Sequence, residues 1–208
     1  MIKTYKILSL LLSYPNVELM DFLPEAEMEL QNEALLSTDR LEEVAQFIHH
    51  FRQMELTEWQ AEYVQLFDYS RSASLHLFEH VKSDSKDRGQ AMVDMLGFYR
   101  ENGLLLSANE LPDYLPVFLE FLSSRAIGKA AELLAEPVNI VDRIHTALEE
   151  KKNMYRHVLS AVISLSAKQP NTKVTEAIIR NEKPLNLDAE YEERPVDFGT
   201  DDTCINCK

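Results

Sequence analysis

The spacing of apolar residues is the feature that most restricts the fold of this chain. Large apolar side chains recur at intervals of three and four residues through most of the sequence, as they do along one face of an α-helix. No window shows convincing alternation of apolar and polar residues, and only five glycines are present to form the many turns of an all-β fold. The pattern therefore predicts an all-α, single-domain protein of about eight or nine helices.

Four amphipathic helices are predicted in the first third of the chain. The first ends before Pro15, because proline cannot continue a helix. The second covers about residues 24–36, and Asp39 is predicted to cap the third. The segment from Thr57 to Gln60 has the form of a capping box and is predicted to open the fourth. Four of its side chains are predicted to face inward: Trp59, Tyr63, Leu66 and Phe67.

The helical pattern continues to about residue 168. A polar stretch at 68–74 is predicted as a loop, and 75–81 as a short helical piece. A helix from about residue 84 is predicted to end at Gly103, a common C-terminal residue type. Asp113 is predicted to cap the next helix, since this places Pro116 in the first turn, where proline is tolerated. Further helices are predicted at about 127–135, 139–151 and 154–167.

The composition changes near residue 169. Between Asn181 and Thr203 there are eight carboxylates and only two basic residues. We therefore expect a helical domain over 1–168 and an acidic, flexible tail over 169–208, because such a segment buries too little apolar surface to offset its ordering entropy. Its removal is expected to leave the stability of the domain nearly unchanged. A short helix over 174–179 could still dock on the domain.

The tail ends with the only two cysteines, Cys204 and Cys207, spaced as C-x-x-C. A redox motif of this kind opens a helix that follows a strand, and no such pattern precedes it. A structural zinc site needs four ligands, and the sequence contains no second cysteine pair. We therefore expect neither a disulfide framework nor a metal site here.

The formal net charge of −14 restricts the class of partner. Binding to nucleic acid depends mainly on lysine and arginine contacts with phosphate, so nucleic acid is excluded as a general partner. An acidic surface suits a basic partner instead. The positive start and apolar run of the first 15 residues resemble a signal peptide, but no small-residue cleavage site follows. No other stretch approaches the ~20 apolar residues of a membrane span, so we expect a cytoplasmic protein without membrane insertion.

The string from His76 to His80 fits the H-x-x-E-H pattern of zinc peptidases, with Glu79 as the residue that would activate water. Five residues match by chance easily, and a third ligand and a substrate cleft are also required. We prefer a short helix whose imidazoles make local hydrogen bonds. No glycine-rich phosphate loop or nucleophile motif is present, so we expect a binding protein with no metal or cofactor. A zinc peptidase, or a helical adaptor for an unrelated partner, are the alternatives.

Three carboxylates near the predicted cap suggest a surface for a cationic peptide. Asp113 and Glu120 are seven residues apart and would share one helix face, with Glu110 nearby. Capping by Asp113 and binding by this acidic face are compatible interpretations.

The sequence resembles a known family in five segments. The segments occur in this order: Leu10–Pro15, Glu62–Asp68, Ser74–Val81, Asp84–Asp94 and Glu110–Leu122. They are similar to the nitrate reductase molybdenum-cofactor assembly chaperones, also called the delta subunits of respiratory nitrate reductase. The resemblance spans about residues 1–124. The segment that begins at Glu110 is shared more widely among chaperones for twin-arginine molybdoenzymes. Lys82 and Ser83 stand where the family pattern leads us to expect a glycine.

The resemblance implies an all-helical cytoplasmic chaperone that catalyses nothing. Such a protein binds the apo catalytic (alpha) subunit of nitrate reductase, partly through the N-terminal peptide of that subunit. It keeps the client open for insertion of the molybdenum cofactor and leaves before the complex settles on the membrane. The resemblance, together with the acidic cluster, assigns client binding to Tyr63, Phe67, His76, Phe78, Glu79, His80, Arg88, Gln90, Glu110, Pro112, Asp113, Tyr114 and Glu120.

Overall fold

Ten α-helices account for most of the described chain. The computed structural model describes residues 1–81, 85–107 and 110–181. The helices are α1 Lys3–Leu11, α2 Val17–Glu33, α3 Thr38–Phe51, α4 Leu56–Tyr63, α5 Ser85–Glu101, α6 Leu115–Ser123, α7 Ile127–Leu134, α8 Val138–Glu150, α9 Tyr155–Ser164 and α10 Thr172–Asn181. Within the ranges given above, the only β-type pairing is an isolated bridge between His76 and Tyr114. The prediction of an all-α, single-domain protein is confirmed.

Helix α1 is central to the packing, and it contacts α2, α6 and α9. Its side chains Tyr5, Leu8 and Leu11 are almost completely buried. Hydrogen bonds join α1 to α6: among them, the Ile2 N–H donates to the Ser123 carbonyl, and Ser9 Oγ donates to the Pro116 carbonyl over 2.7 Å. The amino-terminal helix is therefore part of the core.

An aromatic cluster fills the space between α3, α4 and α9. The Trp59 ring stacks on Phe51 with centroids 4.8 Å apart, and its Nε1–H donates to the Tyr155 hydroxyl over 2.8 Å. Such ring pairs add about 0.5–1.5 kcal/mol to the effect of area burial. The four side chains predicted to face inward from Trp59 to Phe67 are all buried, as expected.

The predicted start of the second helix was wrong. Helix α2 begins at Val17, where the Asn16 side chain accepts a hydrogen bond from the Leu19 N–H over 2.8 Å. Pro24 lies inside the helix and is exposed. It removes one hydrogen bond within the helix, and the buried residues on both sides of it stabilise the helix.

Two further predicted caps were also wrong. Ser37, rather than Asp39, caps α3, and its Oγ accepts from the Arg40 N–H over 3.4 Å. Helix α4 begins after Glu55 without a side-chain cap, so Thr57 lies inside the helix and forms no capping box.

The segment between α4 and α5 is more regular than predicted. A π-helical turn at Val64–Asp68 extends α4, and 3₁₀ turns cover Arg71–Ala73 and Leu77–His80. Helix α5 ends close to the predicted position, with Gly103 in the left-handed conformation at φ +83°. Pro116 is in the first turn of α6, as predicted. However, the residue at the N-cap position of α6 is Tyr114, not Asp113.

Helix α10 lies on the tail side of the predicted boundary at 168/169 and packs against α8. Its Thr175 side chain is buried and donates to Asp142 Oδ2 over 2.7 Å, and the Asn171 N–H donates to Asn139 Oδ1 over 2.7 Å. The boundary itself stays a prediction.

Several predicted features fall outside the described residues. These are the Lys82–Ser83 departure, the acidic stretch from residue 182 and the two cysteines. Within the part of the chain that the structure covers, no helix has both the length and the apolar character needed to cross a bilayer.

Candidate functional site

Two segments that are distant in the sequence pair beside the start of α6. The Leu77 N–H donates to the Asp113 carbonyl over 3.0 Å, and the Leu115 N–H donates to the Leu75 carbonyl over 2.9 Å. These bonds flank the bridge between His76 and Tyr114. The pairing places the 3₁₀ turn Leu77–His80 next to the first turn of α6.

The Asp113 side chain is completely buried in this pairing. One carboxylate oxygen lies 3.2 Å from His76 Nδ1, and the other accepts a hydrogen bond from the Phe78 N–H over 3.2 Å. Asp113 therefore accepts hydrogen bonds from the 3₁₀ turn instead of from the first turn of α6. This explains why the predicted helix cap does not form.

Two tyrosines extend the cluster toward α1. The Tyr114 ring lies against His76 with centroids 5.2 Å apart, and its hydroxyl is 2.6 Å from the Tyr63 hydroxyl. Tyr63 donates to the Leu12 carbonyl over 2.9 Å. Burial raises the pKa of the Tyr63 phenol, so this hydroxyl stays protonated and can donate. Four of the predicted site residues, namely Tyr63, His76, Asp113 and Tyr114, are thus brought together.

The H-x-x-E-H string does not adopt the α-helical arrangement of a zinc peptidase. His76 precedes the 3₁₀ turn in an extended conformation, so its ring is not one α-helical turn from that of His80. His80 Nε2 lies 2.9 Å from the Ser74 carbonyl oxygen, which can only accept, so this nitrogen donates. The described residues include no group of three or more His, Cys, Asp or Glu side chains placed to hold a metal ion. The local hydrogen bonds match the preferred interpretation.

Helix α5 is held near this cluster by a few contacts. Arg88 Nη2 lies 3.2 Å from Glu79 Oε1, and the buried Tyr99 hydroxyl donates to the Pro112 carbonyl over 2.9 Å. The Tyr99 ring also packs on Phe121 of α6, with centroids 4.9 Å apart. Helix α5 thereby forms a wall opposite α7 and α8.

An open apolar groove of about 310 Å³ lies between the 3₁₀ turn, α5, α6 and the α7–α8 junction. Glu136 is the single charged residue among those that line it. The lining residues are Leu77, Phe78, Val81, Met95, Phe98, Phe118, Leu133, Glu136, Pro137 and Ile140. A groove with this lining suits the apolar face of an amphipathic helix, which is a common mode of peptide recognition. We call it the apolar groove.

The remaining predicted site residues lie apart from one another. Phe67 belongs to the aromatic core, with its ring 4.9 Å from Tyr155. Gln90 donates to Asp94 on the surface of α5 over 2.8 Å. Glu110 accepts from the backbone and side chain of Ser107, at 3.1 and 2.9 Å.

The three carboxylates of the predicted acidic face do not share one exposed surface. Glu120 forms an ion pair with Lys6 of α1, whereas Asp113 is buried and precedes α6. Only Glu110 and Glu120 remain accessible to a cationic peptide.

The sequence analysis did not identify most of the groove. The lining residues on α5 to α8 that it missed are Met95, Phe98, Phe118, Leu133 and Ile140. Their apolar spacing was visible, but core residues have the same spacing, and Phe118 is itself buried at 6% exposure. For the lining residues that water reaches, only exposure in the folded protein separates them from the core. Phe98, for example, is 38% exposed, whereas the neighbouring Tyr99 is completely buried.

Comparison with known proteins gives concordant results. Residues 29–161 match the sequence profile of a family described as the nitrate reductase delta subunit. The chain is 35% identical over 202 residues to the nitrate reductase molybdenum cofactor assembly chaperone NarJ of Escherichia coli K12, covering 95% of this chain and 86% of the relative. The same values are found for NarJ of Escherichia coli O157:H7. The fold is also similar to a crystal structure of an Archaeoglobus fulgidus protein assigned to redox enzyme maturation. That match has a TM-score of 0.57 and 24% identity, and it covers 77% of this chain and 90% of the other.

Proposed function

Because this chain belongs to the nitrate reductase delta subunit family, we propose that it is a molybdenum-cofactor assembly chaperone for respiratory nitrate reductase. In this proposal it binds the apo catalytic (alpha) subunit and keeps it competent for cofactor insertion and complex assembly. The names of its relatives support this role. The chaperone acts in the cytoplasm, and it acts by binding rather than by catalysis.

The apolar groove is the observation that favours a peptide as the bound part of the client. Its lining includes side chains that water still reaches, such as Val81 at 49% and Phe98 at 38% exposure. Covering one large apolar side chain contributes about 1.5–3 kcal/mol. The apolar face of a short helix would cover several of them at once. We therefore assign the groove to the N-terminal peptide of the catalytic subunit.

At the apolar groove, charge contributes more to the selection of a basic peptide than to the binding affinity. Glu136 lies at the edge of the groove and is exposed, so an ion pair with a basic client residue is worth only about 0.2–1 kcal/mol. The acidic surface as a whole favours a basic peptide over an acidic one. The groove binds the apolar face of the peptide, and Glu136 sets which way the basic residues point.

To keep the client open, the chaperone must shift the equilibrium between the open and closed states of the client. A chaperone can hold the apo subunit open only if it binds the open state more tightly than the closed state. A peptide segment that is accessible before cofactor insertion and packed into the enzyme afterwards would provide this difference in affinity. Release then follows from closure of the client and requires no chemical step in the chaperone.

The test is calorimetric titration of the chaperone with a synthetic N-terminal peptide of the catalytic subunit from the same organism. Phe98→Ala removes a large side chain from the wall of the groove and should weaken binding about tenfold or more. Tyr69→Ala is the matched control, because this aromatic residue is 73% exposed and does not line the groove. Equal affinities for the parent and the Phe98 variant would place the peptide elsewhere, and no binding to the parent would refute the assignment of the peptide.

A further inference from the structure

We propose that Asp113 is a positioning residue of the apolar groove: its buried carboxylate holds the Leu77–His80 turn in the conformation that directs Phe78 into the groove. The inference rests on the proposed function, because the groove is assigned there to the client. It gives Asp113 a role other than that of an acidic contact for a cationic peptide.

Burial excludes direct contact between Asp113 and a bound peptide. The side chain is 0% exposed and does not line the groove, so a ligand in the groove cannot reach its oxygens. Both oxygens already have partners within this protein, at His76 Nδ1 and the Phe78 N–H. The Phe78 side chain lines the groove while its backbone N–H bonds to Asp113. Phe78 thus connects the Asp113 carboxylate to the groove.

The turn depends on bonds from outside itself. The 3₁₀ segment Leu77–His80 has only four residues, and short 3₁₀ turns have poor internal hydrogen-bond geometry. Asp113 supplies two acceptors to it, the main-chain carbonyl for the Leu77 N–H and the side-chain carboxylate for the Phe78 N–H. Hydrogen bonds to an ionised group are roughly twice as strong as those between neutral groups. Loss of the carboxylate therefore leaves the Phe78 amide without its partner.

A disordered turn would weaken client binding without removing any contact made in the complex. If only a fraction of the molecules hold the turn in place, the apparent dissociation constant rises by the inverse of that fraction. A drop to about one tenth would weaken binding about tenfold. The salt dependence of binding would stay the same, because no charge that faces the client has changed.

The experiment compares Asp113→Ala, Asp113→Asn and the control Asp21→Asn. Alanine offers no acceptor to either donor. The asparagine oxygen can still accept from the Phe78 N–H, and its amide can donate to His76 Nδ1 when that nitrogen carries no proton. Asp21→Asn makes the same chemical change at an exposed position on α2, a helix that does not line the groove. Each variant is titrated with the N-terminal peptide of the catalytic subunit at low and high salt, and its amide hydrogen exchange is measured without peptide.

The expected results distinguish a positioning role of Asp113 from direct contact with the peptide and from general destabilisation of the fold. Asp113→Ala should bind about tenfold or more weakly and should exchange faster at Leu77 and Phe78, while amides of α3 exchange at the parent rate. Asp113→Asn should stay within about threefold of the parent in affinity, with an unchanged salt dependence. The Asp21 control should match the parent.

Two outcomes would overturn the proposal. One is parent-like exchange at Phe78 in Asp113→Ala. The other is an Asp113→Asn variant that binds as weakly as Asp113→Ala and loses salt dependence, because that result would mean that the charge meets the client. If the alanine variant does not fold, the asparagine variant decides: affinity within about threefold of the parent with unchanged salt dependence supports positioning, and loss of both affinity and salt dependence overturns it. If the parent does not bind the peptide, the exchange data still test the positioning role, so the two failures can be distinguished.

Discussion

Two histidines lie among α3, α8 and α9, where burial disfavours the charged imidazolium. Burial lowers the pKa of His145 and of His157, and Arg40 lowers both further. Glu43 partly opposes this effect at both sites. The Nε2 atom of the buried His157 has no hydrogen-bond partner among the described residues. Both rings are therefore more easily protonated in the unfolded chain than in the folded protein.

We predict that the free energy of unfolding falls as the pH is lowered below about 6.5, the ordinary histidine value. Below that pH the unfolded state binds protons at these two positions that the native state does not bind, so the contribution to stability is complete above pH 6.5 and decreases toward the lowered pKa values. Each unit of lowering corresponds to about 1.4 kcal/mol. Urea denaturation at a series of pH values between about 7.5 and 5.5 measures the effect.

The double variant His145→Gln and His157→Gln is the comparison for this prediction. Glutamine is polar and does not titrate, so the decline in stability over this pH range should be shallower than in the parent. Identical slopes in the parent and the double variant would show that these two side chains do not cause it.

The sequence predicted a residue's role correctly where that role depends on its own helix, and wrongly where it depends on partners distant in the sequence. Pro116 fell in the first turn of α6 as expected, because the steric limits of proline are local. Asp113 was misassigned because its partners, His76 and the Phe78 N–H, come from a segment more than 30 residues earlier. A capping residue and a buried acceptor have the same side chain, and only the tertiary structure decides between them.

The helices show the same division between local and distant causes. Their type followed from the apolar spacing. The described residues form ten α-helices instead of the predicted eight or nine, and α2 starts earlier than predicted. The helix was predicted to begin at about Pro24, whereas Asn16 caps it eight residues earlier. Packing of the buried side chains Leu19, Leu23 and Leu30 offsets the hydrogen bond that the proline removes.

Helix α10 changes the expectation for the tail. We predict that a chain ending at residue 181 keeps its thermal midpoint within about 2 °C of the parent, because the acidic stretch beyond it has few large apolar groups. A chain ending at residue 169 should lose about 4–8 °C, which corresponds to about 2 kcal/mol for a domain of this size. The loss would come from the Thr175 bond to Asp142 and from the surface of α8 that α10 covers.

Calorimetry of the two truncated chains gives the measurement, and Thr175→Val in the full chain is the control for the hydrogen bond alone. A chain ending at 169 with the parent midpoint would show that α10 adds no stability. A chain ending at 181 with a lowered midpoint would show that residues beyond α10 contribute to it.

The whole molecule combines a net charge of −14 with a groove that has one charged lining residue. We predict that salt slows association with a basic client peptide and barely changes dissociation. Long-range attraction acts on the encounter and is screened over about 10 Å at 0.1 M salt, whereas apolar contacts in the complex are not screened. Stopped-flow fluorescence at about 50 mM and 500 mM salt would separate the two rate constants.

Glu136→Gln is the matched variant for this prediction. It should change the association rate only slightly, because one of many surface charges is removed. A dissociation rate that rises with salt as steeply as the association rate falls would mean that ion pairs, rather than the apolar groove, hold the peptide.

The packing of α1 against α6 also determines the stage of translation at which a newly made copy of this protein can complete its fold. Ser9 bonds to the Pro116 carbonyl, 107 residues later, so the first helix leaves the ribosome long before its partner exists. The groove needs residues as late as Ile140. Contacts of such long sequence separation form slowly, because a large loop must close first. A nascent copy therefore has no complete apolar groove, and the groove can form only after the chain has been translated beyond Ile140.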